Sequence, residues 1–300
     1  MGKLNYFAES FTGRRKNNQD ACDVYDLGND SYLLAVADGM GGSVGGQVAS
    51  KLVIDYCREF FTKEFEKDVT PDNLKEILRQ GLSKLQTAIY EKIRAESELT
   101  GMGTTLTCVL VQGDKYVWGN IGDSRTYLLN SEKIEQISVD HTYIQDYKKD
   151  NDGPIPQSIL DQYSHYLTKA LDGGGDSADI FPENSDYETL KEGDGFLLCS
   201  DGLISNKVET DNSLLHNYIK ASESLDEAAK NLISSAYYDG SNDNISVVLA
   251  EYGRIKREKI KVRNFAYPPR ENKTANLISE YWELVIPVLL LIILLLIIYL

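Results

Sequence analysis

The sequence predicts an α+β domain, and two observations carry that prediction. Short β-rich stretches arrive in clusters separated by turns, which favours antiparallel layers over the strict alternation of a doubly wound parallel sheet. Apolar residues make up 42% and charged residues 26% of 300 positions, ordinary globular usage with room for a large core. A third observation sets the end of the chain apart. Leu284 to Leu300 carries no charge and closes on LLLIILLLIIYL, the pattern of a membrane-anchoring helix.

The expected elements follow in order. Ser31 to Ala37 (SYLLAVA) is short and β-rich. A helix starts near Ser43, with Val44, Val48, Leu52, Tyr56 and Phe60 recurring every four residues along one face. Thr70 reads as an N-cap with Pro71 at the first helical position. The helix that follows buries Leu74, Ile77, Leu78, Leu82, Leu85 and Ile89. Strands are expected at Thr104 to Val111, Tyr116 to Asn120, Ser124 to Leu129, Gly195 to Cys199 and Asn244 to Tyr252, with two helical segments between Asp211 and Tyr238. Between Asp140 and Asp176 the periodicity dissolves into a long, partly helical excursion, the kind of segment that is usually functional.

These patterns divide the chain into a domain over residues 1–252, a basic linker over 253–280 and an anchor over 281–300. Arg254 to Lys273 holds eight basic residues against Glu258 and Glu271, with Pro268-Pro269 as a helix breaker. As a helix, the 17 residues from Leu284 would extend about 25 Å, slightly short of a hydrocarbon core of about 30 Å. Tyr281 and Trp282 would sit at its interface. Basic residues on the N-terminal side predict a single-pass, C-terminally anchored protein with its large domain on the cytoplasmic face, the basic stripe lying against anionic lipid. MGKLNYFAES has neither a signal-peptide pattern nor the Ser or Thr at position 6 that myristoylation of Gly2 requires.

Composition excludes several classes. A net charge of −15 argues against sequence-independent binding of nucleic acid. Cys22, Cys57, Cys108 and Cys199 are dispersed, and His141, His165 and His216 lie far apart, so neither a zinc site nor a conventional catalytic triad is expected.

The chemistry lies in aspartates at strand ends. LLAVAD-GMGG at Asp38, VWGNIGD-SR at Asp123 and FLLCSD-GL at Asp201 each follow an apolar strand; Asp243 precedes one in GSND-NISVVLA, and Asp20 closes RKNNQD before another. Singly, each reads as a turn or cap residue. Converging, they could not all stay ionised unless divalent cations neutralised them, and all-oxygen ligation selects Mg²⁺ or Mn²⁺. Gly39, Gly41 and Gly42 allow close backbone approach and offer a carbonyl ligand. Two such ions activate water and clamp a phosphoryl group. Arg14 or Arg15 could hold phosphate oxygens bidentately.

In order along the chain, Arg15 with Asn18-Gln19-Asp20, Asp38-Gly39-Met40-Gly41-Gly42, Gly103-Thr104-Thr105, Gly122-Asp123-Ser124-Arg125, Leu167-Thr168-Lys169-Ala170-Leu171, Ser200-Asp201-Gly202-Leu203 and Asp243-Asn244-Ile245 resemble the bacterial-type metal-dependent protein phosphatase 2C family. The resemblance covers roughly residues 3 to 252. It implies two stacked antiparallel β-sheets flanked by pairs of helices, and hydrolysis of phosphoserine or phosphothreonine on a protein partner by a metal-bound hydroxide, with no phosphoenzyme. It also implies that Asp38 bridges two ions, that the Gly39 carbonyl binds one, and that Asp201 and Asp243 complete the other. Asp123 with Asp201 would hold a weaker third ion. Arg15 would grip the phosphate and Asp20 would order water on the metals. The excursion after Asp140 corresponds to a flap bordering the cleft. Three positions depart from the pattern: Met40 replaces the general-acid histidine of eukaryotic relatives, Gln19 stands for a frequent Glu, and Lys169 for a frequent Arg.

Two rival readings remain to be weighed. A nucleotide-binding glycine loop fails, because Val44 occupies the last glycine position of a dinucleotide fingerprint and no Gly-Lys-Ser/Thr follows. The alternative is a membrane-tethered, non-catalytic module that binds or senses a phosphoprotein. The complete aspartate set argues against it.

Overall fold

The computed structural model describes residues 3–204 and 212–269. The expected anchor at 281–300 lies outside the described residues, as does the linker beyond residue 269. Among the described residues no helix is long and apolar enough to cross a membrane.

Twelve strands and eight α-helices are described. They run β1 (Leu4–Phe11), β2 (Asp20–Gly28), β3 (Ser31–Met40), α1 (Ser43–Phe65), α2 (Leu74–Ser83), α3 (Leu85–Ala95), β4 (Gly103–Thr104), β5 (Leu106–Gln112), β6 (Lys115–Ile121), β7 (Arg125–Leu129) and β8 (Ile134–Gln136). There follow α4 (Tyr143–Asp150), α5 (Gln157–Tyr163), β9 (Asp179–Phe181), β10 (Glu188–Thr189), β11 (Gly195–Cys199), α6 (Asp201–Ile204), α7 (Asn212–Ala221), α8 (Leu225–Tyr238) and β12 (Ile245–Tyr252).

The strands form two antiparallel sheets. One has the order β1-β12-β11-β7-β8; the other has β10-β6-β5-β3-β2, with β4 beside β3 and β9 beside β6. Side-chain alternation explains why they stack. In β3, Leu34 and Val36 join Val109 and Val111 of β5 and meet Leu198 and Val248 of the other sheet in a shared inner core. Leu33, Ala35 and Ala37 point the other way, onto α1, α2 and α3. In β12 the same period sends Val247 and Leu249 to α6, α7 and α8. Both faces of the central strands of each sheet are therefore covered, and those strands read as apolar runs. The α+β expectation holds, and four layers result.

Local signals explain the helix boundaries. Thr70 and Asn73 form a reciprocal cap around a short 3₁₀ turn at Pro71–Asn73. The single helix expected after it is two, parted at Lys84 (φ −88°, ψ −12°). Leu82 and Leu85 flank that turn and are both buried, so the bend keeps two consecutive contacts on the sheet. Ser224 Oγ accepts from the Glu227 N–H (3.1 Å) and starts α8.

The compact unit runs through Tyr267. Residues 254–267 have no regular structure, yet Ile255 is buried and Val262 and Tyr267 pack on the α7/α8 core. Arg257 pairs with Glu251 (2.9 Å) and Lys220 with Glu258. The first part of the basic stretch is thus engaged by the domain itself.

Candidate metal centre

Each expected site residue arrives by a different element. Asp20 opens β2 and lies directly across from Asp38 on β3. Asp123 occupies the tight turn between β6 and β7, Asp201 begins α6 where β11 ends, and Asp243 precedes β12. Arg15, Asp38, Gly39, Asp123, Asp201 and Asp243 line one cleft of about 490 Å³, with Met40, Thr105, Asn244, His165 and Leu167 also on its walls. Asp20 lies beneath that cleft. It is 8% exposed, and its Oδ2 accepts from Ser200 Oγ and Ser246 Oγ, each at 2.7 Å.

Backbone contacts set these carboxylates tightly. The Asp38 N–H donates to Thr105 Oγ1 (3.0 Å), while the Asp38 carbonyl accepts from the Thr105 N–H (2.8 Å) and from Thr104 Oγ1 (2.8 Å). Asn244 accepts from the Gln19 N–H (2.8 Å) and donates to the Thr12 and Asn17 carbonyls, tying the Arg15 loop to the start of β12. At Gly39 a β-carbon would lie 2.0 Å from the Gly46 carbonyl oxygen, so the backbone passes here only as glycine. Arg15 donates to Asp243 Oδ2 (2.7 Å) and to the Asn242 carbonyl (2.9 Å). In this arrangement its charge rests on a carboxylate of the cleft.

The electrostatics match the convergence. Burial pushes Asp20 up to about 7 against its two serine hydrogen bonds, with the charges of Asp201 and Asp243 adding to the rise. Burial and then Asp201 push Asp123 up to about 7. Asp38 is raised well above the usual carboxylate range by burial and by all four neighbouring aspartates, and Asp201 by burial and Asp243.

These residues fit hard divalent ions. The Oδ1 atoms of Asp20 and Asp201 are buried without a hydrogen-bond partner, a costly state that a cation or its water would relieve. The donors are all oxygen, the preference of Mg²⁺ and Mn²⁺. Among the described residues no three acidic, His or Cys side chains already enclose a common point. Ions of this kind often use one or two carboxylates and keep several waters.

Sequence reasoning quoted Thr104, Thr105, Ser200 and Asn244 only as parts of motifs, with no role. The structure makes them the groups that hold the carboxylates. For Ser200 and Asn244 a signal was present, since each adjoins an aspartate in the sequence; Thr104 and Thr105 adjoin none. The resemblance implied that the flap borders the cleft, and Leu167 belongs to a quoted motif; that His165 is the other flap side chain on the wall leaves no local pattern in the sequence.

Residues 10–237 match the family model described as "Protein phosphatase 2C". The chain is 30% identical over 243 residues to a Listeria welshimeri protein named serine/threonine phosphatase stp, covering 81% of this chain and 93% of that one. It is 36% identical over 249 residues to the Mycobacterium tuberculosis serine/threonine protein phosphatase PstP, covering 83% of this chain and 45% of that one. A crystal structure of the catalytic domain of PstP, in complex with two manganese ions, superposes with a TM-score of 0.67 at 34% identity, covering 83% of this chain and 97% of that one.

Proposed function

This chain belongs to the protein phosphatase 2C family, and we propose that it removes phosphate from phosphoserine and phosphothreonine of a protein substrate while tethered to the cytoplasmic face of a membrane. It is a Mn²⁺- or Mg²⁺-dependent protein-serine/threonine phosphatase. The observation that carries the reading is the cleft in which Asp38, Asp123, Asp201 and Asp243 meet beside Arg15.

Asp38 and the Gly39 carbonyl would hold one ion; Asp38, Asp201 and Asp243 a second; Asp123 and Asp201 a weaker third. Bound there, such ions supply an activated water and neutralise charge on the phosphoryl group. The remaining work falls to the chain. Thr104 and Thr105 hold the Asp38 backbone by three hydrogen bonds, so its carboxylate is positioned before substrate arrives. Arg15, half exposed and hydrogen-bonded to the Asn242 carbonyl, would orient phosphate oxygens with its remaining donors. Asp20, behind the cleft, would order water held by those ions. Met40 on the cleft wall has no acidic proton, so the leaving alkoxide must take its proton from solvent or a neighbouring residue.

The test is phosphate release from a phosphothreonine peptide by the full chain. Release with Mn²⁺, its loss on chelation and its return on adding Mn²⁺ are expected. Wild-type release no faster than that of Asp201→Ala would leave the non-catalytic binding module as the better reading.

Tethering is supported by the uncharged run from Leu284 and the basic residues that precede it. Cells expressing the full chain should carry it in the membrane pellet, whereas a chain ending at Lys273 should stay in the supernatant. Equal partition of the two would refute the anchor.

A further inference from the structure

His141 stands outside the carboxylate cleft, 4% exposed, with every polar group engaged. Its N–H donates to the Gly122 carbonyl (2.9 Å), and its carbonyl accepts from the Thr168 N–H (2.9 Å). Nδ1 accepts from the Gly122 N–H (3.1 Å), which leaves the ring proton on Nε2, 2.9 Å from Asp179 Oδ2. Asp179 Oδ1 in turn accepts from Lys169 Nζ (3.0 Å). Partial burial would raise the Asp179 carboxyl, but the hydrogen bonds from His141 and Lys169 outweigh it and hold the group below the usual carboxylate range.

Two different pieces of the site meet on this ring. The Nδ1 side holds Gly122, whose left-handed backbone (φ 95°) presents the next residue, Asp123, to the cleft. A β-carbon at Gly122 would lie 2.5 Å from Thr105, so the backbone turns here only as glycine, and Asn120 Nδ2 also donates to its carbonyl (3.2 Å). The Nε2 side reaches Asp179, which pairs with Asn120 at the edge of the β6 sheet, and through it Lys169 at the foot of the flap. The flap is pinched at the same place: the Tyr143 N–H donates to the Tyr166 carbonyl (2.9 Å), and Thr142 bridges Leu167.

We infer that His141, oriented by Asp179, is a positioning residue with two separable duties: its Nδ1 aims Asp123 into the cleft, and its Nε2 fixes the base of the 142–167 flap where a protein substrate must lie. This inference rests on the phosphatase reading above. A buried neutral imidazole suits the task because it is rigid, accepts at one end and donates at the other.

The two duties can be split by substitution. In His141→Gln the amide nitrogen can take the place of Nε2, but no acceptor remains for Gly122. In His141→Asn the amide oxygen can take the place of Nδ1, but nothing reaches Asp179. Residues that hold metal ligands from behind cost about 10–100-fold in metal affinity or activity when changed. His141→Gln is therefore expected to weaken the loosest class of Mn²⁺ bound by the full chain about tenfold or more, counted from the free-ion EPR signal without turnover. Its KM for a phosphothreonine peptide at saturating Mn²⁺ should match wild type. His141→Asn and Asp179→Ala should do the reverse: Mn²⁺ binding as in wild type, unchanged KM for para-nitrophenyl phosphate, and a peptide KM raised several-fold. If the two His141 variants alter the same parameters, or merely lose kcat and melting temperature together, the inference is overturned. Should neither His141 variant fold, Asp179→Ala decides alone, and equal peptide KM in it and wild type overturns the inference. Absence of turnover in wild type would instead count against the phosphatase reading and leave the EPR comparison standing.

Discussion

Asp38→Asn is expected to reduce kcat at saturating Mn²⁺ by roughly a thousandfold or more while leaving the fold intact. Each tenfold in rate corresponds to about 1.36 kcal/mol of transition-state stabilisation, and a metal centre contributes several kcal/mol of it. Asp38 is the carboxylate proposed to serve both of the tighter ions, so its loss removes more than a single ligand. The substitution keeps the side-chain shape and spares the backbone hydrogen bonds to Thr104 and Thr105. It also removes a group that burial and its neighbours hold well above its ordinary range. Without metal, the variant should therefore resist urea at least as well as wild type, the usual trade between stability and a function-bearing charge cluster. Turnover within tenfold of wild type would remove Asp38 from the centre.

The second large effect concerns stability against pH. In an unfolded chain the Asp20 and Asp123 carboxyls lose their protons near pH ~3.9; in the fold both are held to about 7. Between those values the folded state retains protons that the unfolded state has released. The contribution to stability is thus complete at the acid end and disappears as pH rises through about 7. Metal-free protein should melt about 5 °C or more lower at pH 8 than at pH 5.5, since each kcal/mol moves the melting point of a domain this size by roughly 2–4 °C. Mn²⁺ should recover more at pH 8, because it binds the ionised form. The remaining excess of negative charge adds its own slope, which Asp20→Asn shares; only the part due to Asp20 should vanish in that variant. An identical pH dependence in wild type, Asp20→Asn and Asp123→Asn would show that these carboxyls do not titrate as described.

Much of the architecture could be read from local pattern. The β3, β5, β6, β7, β11 and β12 strands are buried on both faces and announce themselves as apolar runs. α1 and α8 follow from spacing, and the Thr70-Pro71 start from cap chemistry. Other elements were illegible for a physical reason. β1 and β2, at the sheet edges, carry exposed and half-buried residues along their length, so Asn5, Glu9, Asp23 and Asp26 dilute their signal. β4, β9 and β10 are two or three residues long and exist only because a neighbouring edge receives them. The break at Lys84 and the helices Tyr143–Asp150 and Gln157–Tyr163 answer to what they pack against. The segment 254–267 reads as a basic linker because Ile255, Val262 and Tyr267 are spread too thinly among charges to look like a core, yet each finds a place on it.

The sequence by itself determined the chemistry available to this protein: five aspartates placed where strands begin or end, glycines beside them, an arginine upstream, and no histidine or cysteine cluster to compete for metal. Residue type decides ligand preference, and a strand end decides that a side chain will stand at the rim of a sheet; both are local properties. Tertiary structure alone decided which of those aspartates face the cleft and which one lies beneath it. It alone placed Arg15 on Asp243 and brought His141, Asp179 and Lys169 from three separate parts of the chain to the back of Asp123. Those facts depend on the register between distant strands, such as Asp20 against Asp38, and register is set by how two covered sheets bury their faces together, which no stretch of sequence contains.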